Sequence, residues 1–144
     1  MNGEDPRWAK TGGGETPRLF LLFNHRLTPG QEVDASMSLG VKRLVPLPTE
    51  LKRLWAHIPA DLPTLQNYLE PLAAWLMGQA HPGDFVLIQG DFGACFFMVQ
   101  LALKHGLVPV YATTQRVVVE NPLPDGSVQV TRRFEHQIFR RYGE

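Results

Sequence analysis

The stretch Phe85-Val86-Leu87-Ile88-Gln89-Gly90-Asp91-Phe92-Gly93-Ala94 decides the fold. Four apolar residues in a row, without polar alternation, predict a strand covered on both faces, which is the habit of parallel sheets. The polar Gln89 and the Gly90-Asp91-Phe92-Gly93 turn end that strand sharply. Ala94 to His105 then reads as a helix, apolar almost all round, which belongs in a core or against a second subunit.

The same pattern repeats on either side. Upstream, Arg18-Leu19-Phe20-Leu21-Leu22-Phe23 predicts another doubly covered strand, and Asn24-His25-Arg26 a polar loop after it. Thr28, Pro29 and Gln31 spell a capped helix start, Val33 and Met37 share a face of that helix, and Gly40 can end it. Val41 to Leu47 predicts a second strand. Leu51, Leu54, Trp55 and Ile58 place one face of the next helix inward. A third helix, from Pro63 to Gln79, carries Leu65, Leu69, Leu72 and Leu76 on one stripe, with Pro71 inside it. Downstream, Gly106 caps the apolar helix and Leu107 to Tyr111 predicts the fourth strand. The segments Arg116 to Glu120 and Ser127 to Phe134 flank Pro124-Asp125-Gly126, a hairpin signal. Strands alternating with helices give an α/β, Rossmann-like domain. Its mostly parallel sheet is flanked by helices and followed by a C-terminal β-hairpin.

The chain has 144 residues, enough for one domain, which we assign to residues 18–144. Residues 1–17 are rich in glycine and proline and predict a flexible N-terminal tail. Fourteen Lys and Arg balance fourteen Asp and Glu, which argues against a protein that coats duplex nucleic acid. Cys95 is the sole cysteine, which excludes an internal disulfide and a multi-cysteine zinc site. No membrane span or secretion signal is legible, so a cytoplasmic protein without membrane contact is the expectation. No cofactor is expected either: the glycines fit neither the dinucleotide fingerprint nor the P-loop, and no metal-ligating constellation stands out.

Ligands of open parallel sheets bind outside the carboxyl ends of the strands, near the point where strand order reverses. Three segments are expected there as loops: Asn24-His25, Gln89 to Gly93, and Ala112-Thr113-Thr114-Gln115-Arg116. Each has two readings. Gly90 and Gly93 serve only a tight turn, or they let a phosphate approach backbone N–H groups at a helix start. His25 is an inert loop histidine, or an acid–base group near neutral pH. Thr113, Thr114 and Arg116 start the hairpin, or they offer two hydroxyls and a guanidinium fork to a phosphate. His136 is open to either kind of role.

Across about Arg18 to Tyr142 the chain resembles a family of small ancillary proteins of type III CRISPR systems. The resemblance is carried by Leu19 to His25 with Leu27-Thr28, Glu70-Pro71 to Leu76, Gln89 to Ala94, Thr113 to Arg116, and Phe134 to Tyr142. It implies a homodimeric ring nuclease that binds cyclic tetra-adenylate, opens the ring and switches the antiviral signal off. By that likeness the three strand-end segments line the messenger site, including Gln89, Gly93 and Thr114. Arg116, Thr113 and the backbone at Gly90 would bind phosphate, and His25 would transfer a proton beside an orienting Asn24. Phe92 would stack on an adenine, and Asp91 would contact a ribose or a base. Attack by a ribose 2′-OH on the adjacent phosphate needs no metal and leaves linear products ending in 2′,3′-cyclic phosphate. A sensor that binds the same ligand without cutting it is the alternative.

Overall fold

A computed structural model describes residues 16–144, so most of the expected tail, Trp8 included, lies outside the described residues. The elements run β1 (Arg18–Leu22), α1 (Pro29–Leu39), β2 (Arg43–Pro46), α2 (Thr49–Ala56), α3 (Gln66–Gln79), β3 (Phe85–Ile88), α4 (Phe92–Lys104), β4 (Val108–Pro122) and β5 (Val128–Arg141). Five strands form one sheet in the order β2-β1-β3-β4-β5. The first four are mutually parallel, and β5 lies antiparallel to β4. The expected α/β architecture is therefore present, and strand order reverses between β1 and β3.

Both faces of the central strands are covered, which is why β1 and β3 carry apolar runs without alternation. On one face Phe20, Leu22, Val86 and Ile88 pack with Trp55 of α2, Leu69, Leu72 and Leu76 of α3, and Ala94 and Met98 of α4. On the other face Leu19, Leu87 and Val110 pack with Ala35 of α1 and Phe139 of β5. The amino edge of the sheet is held by a buried ion pair. Asp84 accepts from the Arg18 guanidinium (2.8 Å), the Arg18 backbone N–H (2.9 Å) and the His81 N–H (2.8 Å).

Several expectations are corrected. In α1 the capping box of Thr28 and Gln31 forms and Gly40 closes the helix at φ 69°; the face shared by Val33 and Met37 is the outward one, and Gln31 and Ala35 face the core. The third helix begins at Gln66 rather than Pro63, and the second strand is shorter than Val41 to Leu47. The apolar helix starts two residues earlier than expected, at Phe92, where the Asp91 carboxylate caps the Ala94 N–H at 2.9 Å.

The largest correction concerns the third expected loop. Residues Ala112 to Arg116 are not a loop but the middle of β4, which runs unbroken into the hairpin. A bulge between Ala112 and Thr114 absorbs the irregularity. The Thr113 hydroxyl stitches it, donating to the Ile138 carbonyl (3.2 Å) and accepting from the Ile138 N–H (3.1 Å). Thr113, Thr114 and Val117 to Val119 are β-branched, so extended backbone suits them and nothing forces the strand to stop. Beyond the bulge β4 and β5 form a two-stranded ribbon. Residues paired directly across it share a face, so Arg116 with Phe134, Val118 with Arg132, and Glu120 with Val130 all lie on one side.

His136 also finds its place here. Its Nε2 lies 2.7 Å from the Asp34 carboxylate, tying β5 to α1. Burial pushes the Asp34 carboxyl up, but hydrogen bonds from Ser38 and His136 outweigh it and hold the group below its ordinary value. A depressed carboxyl contributes stability that is complete above the unfolded-state value and lost as pH falls through the folded one. Acidification from neutral pH through the ordinary aspartate range and past the depressed folded value should therefore shed this contribution, and Asp34→Asn should flatten that part of the stability profile; unchanged acid sensitivity in Asp34→Asn contradicts it. Arg18→Ala should cost about 2–3 kcal/mol in urea unfolding, because it strips the charged partner from a buried carboxylate while Arg18 itself is partly solvated.

Candidate functional site

The carboxyl end of β3 is where side chains take over from the sheet ladder. The Gln89 N–H still reaches the Leu22 carbonyl at 3.1 Å. The Gln89 carbonyl instead accepts from the Trp55 indole N–H at 3.0 Å. Its side-chain Oε1 accepts from the Ala112 N–H at 2.6 Å, and so binds β4 at its bulge. One residue earlier, the Ile88 carbonyl accepts from the Tyr142 hydroxyl at 2.6 Å. Three elements distant in sequence thus converge on two consecutive residues of β3.

Gly90 follows, and the Trp55 ring explains it. A Cβ there would lie 3.0 Å from the Trp55 Nε1 and 3.2 Å from its Cε2. The indole can reach the Gln89 carbonyl only because the next residue lacks a side chain.

A cavity of about 420 Å³ opens beside this junction, lined by Gln89, Gly90, Phe92, Cys95, Phe96, Val99, Tyr111, Ala112 and Tyr142. That volume lies within the range of about 300–1,000 Å³ typical of small-molecule sites. Its walls are largely aromatic. The Tyr111 and Tyr142 rings meet at 4.8 Å with a 56° tilt, and the Arg140 guanidinium donates to the Tyr111 hydroxyl at 3.0 Å. Phe92 and Phe96 remain 95% and 66% exposed.

Cys95 is no nucleophile in this setting. Burial pushes its thiol up to about 11, and the nucleophilic form of cysteine is the thiolate. Burial likewise pushes the Tyr142 phenol up to about 12, with further repulsion from Cys95 and Tyr111. Both groups stay protonated at neutral pH and act as hydrogen-bonding walls.

The sequence-derived candidates do not form one cluster within a single chain. Gln89, Gly90 and Phe92 line the cavity. Asp91 is committed to capping α4, and Gly93 sits against the Leu65 side chain, where a Cβ would lie at 3.6 Å. Asn24 and His25 are exposed at the end of β1, with the His25 ring against Phe23 at 5.4 Å. Thr113 is engaged in the bulge, and Thr114 is paired across the ribbon with His136. Arg116 stands about 20 Å along the strand from Val110, at the usual rise per residue.

Sequence reasoning missed Phe96, Val99, Tyr111 and Tyr142 as site residues. Phe92, Cys95, Phe96 and Val99 fall at i, i+3, i+4 and i+7, a stripe that periodicity alone could have found. Tyr111 and Tyr142 meet only through the β4–β5 pairing, which no local pattern announces. Among the described residues, no group of three or more His, Cys, Asp or Glu is placed to hold a metal ion. No helix among them is long and apolar enough to cross a membrane.

Comparison with known proteins places the chain in a family. The chain is 44% identical over 126 residues to the uncharacterized protein MJ1673 of Methanocaldococcus jannaschii, covering 88% of this chain and 97% of that protein. No solved structure matches it. The model of the uncharacterized protein MJ1673 family matches residues 17–140, and the chain belongs to that family.

Proposed function

We propose that the protein is a ring nuclease that binds cyclic tetra-adenylate and opens it without a metal, ending type III CRISPR antiviral signalling. The observation that carries the reading is the position of the polar segments Asn24-His25 and Gln89 to Gly93. They leave β1 and β3, the two strands between which strand order reverses, and this is where open parallel sheets bind nucleotides. The resemblance over Arg18 to Tyr142 supplies the identity of the ligand.

The chemistry asks little of the protein beyond placement. A ribose 2′-oxygen attacks the adjacent phosphorus, the bond from phosphorus to the 5′-oxygen breaks, and a 2′,3′-cyclic phosphate and a free 5′-hydroxyl result. The 2′-hydroxyl gives up its proton to solvent water, and the departing 5′-oxygen gains one. Alignment of the three reacting atoms and donors aimed at the phosphoryl oxygens lower the barrier. His25 supplies the proton to the leaving oxygen, a contribution of about 10²–10⁴-fold for a positioned acid. Asn24 orients the ligand beside it.

Arg116 lies too far along the ribbon to serve the β3 end of its own chain, so it reaches the phosphates from a second copy. A two-fold homodimer presents the same groups to both halves of a symmetric ring.

A binding protein that sequesters the messenger uncut is favoured by one observation: His25 is exposed and touches Phe23 through its ring, and among the described residues no hydrogen bond holds that ring. Product analysis separates the two. Incubation with cyclic tetra-adenylate in excess chelator should yield linear fragments ending in 2′,3′-cyclic phosphate, and ring that is bound but left intact would favour the sensor. In single-turnover cleavage His25→Ala and Arg116→Ala should each slow the reaction by about 10²-fold or more. Wild-type rates in both variants contradict the assignment.

A further inference from the structure

We propose that the cavity between α4 and the end of the parallel sheet is a base pocket, which takes the adenine ring of a nucleotide and leaves its phosphate to Arg140. The identity of the whole ligand rests on the cyclic tetra-adenylate reading above; the chemistry of the pocket stands on its own residues.

Three features select the occupant. First, the walls suit a flat ring. Tyr111 and Tyr142 form one aromatic side, while Phe92 and Phe96 offer rings that the protein itself leaves exposed. Stacking between a base and an aromatic side chain is a main source of affinity in nucleotide recognition. Second, the cavity wall carries a side-chain amide, that of Gln89. Its Oε1 accepts from the Ala112 N–H and keeps a second lone pair, while its Nε2 has no hydrogen-bond partner among the described residues. Such an amide matches the adjacent ring nitrogen and N6 amine that adenine presents.

Third, a positive charge stands beside the Tyr111 wall. Arg140 is held against Tyr111 by its bond to the hydroxyl and by its guanidinium lying 5.5 Å from the ring centre. A guanidinium so placed keeps N–H groups free for a phosphate oxygen. Aromatic walls, a side-chain amide and a neighbouring cation together describe a nucleotide, whereas a purely apolar ligand would use neither the Gln89 amide nor the free guanidinium N–H groups of Arg140.

The test is calorimetric titration of the full chain with adenosine monophosphate, uridine monophosphate and cyclic tetra-adenylate. Two variants accompany the wild type. Val99→Phe fills the cavity from α4, and Gln89→Glu keeps an acceptor for Ala112 while removing the amide donor. Both are checked for a wild-type unfolding temperature, and either alone suffices if the other fails to fold. Adenosine monophosphate and the ring should bind the wild type, and the folded variants should bind each about ten-fold or more weakly. Uridine monophosphate, with its smaller ring, should bind less well than adenosine monophosphate. If both adenine ligands bind variants and wild type equally, the base lies elsewhere, and the pocket falls while the messenger reading stands. If adenosine monophosphate binds with the expected losses but the ring does not bind, the pocket stands and the messenger reading falls. Failure of both ligands to bind the wild type overturns both, and equal binding of the uridine nucleotide overturns the preference for adenine.

Discussion

The hydrogen bonds that close the carboxyl end of β3 organise the rest of this molecule. A strand buried on both faces must satisfy its terminal backbone groups without water, and here distant side chains do so. Trp55 of α2 reaches the Gln89 carbonyl, Tyr142 reaches the Ile88 carbonyl, and the Gln89 side chain turns to the Ala112 N–H. Each of these contacts fixes an element relative to the sheet. The Trp55 bond requires glycine at position 90, the Tyr142 bond sets where the chain end lies, and the Ala112 bond marks where β4 bulges. The cavity is the space these constraints leave between α4, β4 and Tyr142.

The same constraints explain why β4 does not stop at the sheet. Once Gln89 and the Thr113 hydroxyl have satisfied the bulge, the strand continues past the His136–Asp34 tie to α1 into an exposed ribbon. Its exposed face carries Val118, Val128, Val130 and Phe134 beside Arg116 and Arg132. The sequence charge balance of zero thus conceals an uneven distribution. Positive groups concentrate on β5, at Arg132, Arg133, Arg140 and Arg141, and one of them, Arg140, stands against an aromatic wall of the cavity. A neutral total argues against binding to long duplexes and leaves room for a small anionic ligand.

Much of this architecture was legible in the residues. The apolar runs at Leu19 to Leu22 and Phe85 to Ile88, the Thr28–Gln31 cap and the leucine stripe of α3 each encode their element locally, through burial, capping or period. The candidate site was legible only where it is local as well: Gln89, Gly90 and Phe92 were visible because a strand-to-helix turn has its own signature. Tyr111 and Tyr142 lie 31 positions apart and come together through antiparallel register, a long-range property that no window reveals. Thr113 and Arg116 were misplaced for the converse reason. A polar run after an apolar strand reads as a loop, whereas pairing with β5 and the side-chain bonds to Ile138 and Gln89 keep it extended.

The central claim is that the groups gathered at the end of β3 form the ligand site. Amide chemical-shift mapping of the full chain, titrated with cyclic tetra-adenylate, tests it most directly. The account predicts the largest shifts at Gln89 to Gly93 and at Tyr111 and Ala112, with smaller ones at Asn24 and His25. Shifts confined to the ribbon between Val117 and Arg133, or no shifts at all, would contradict it.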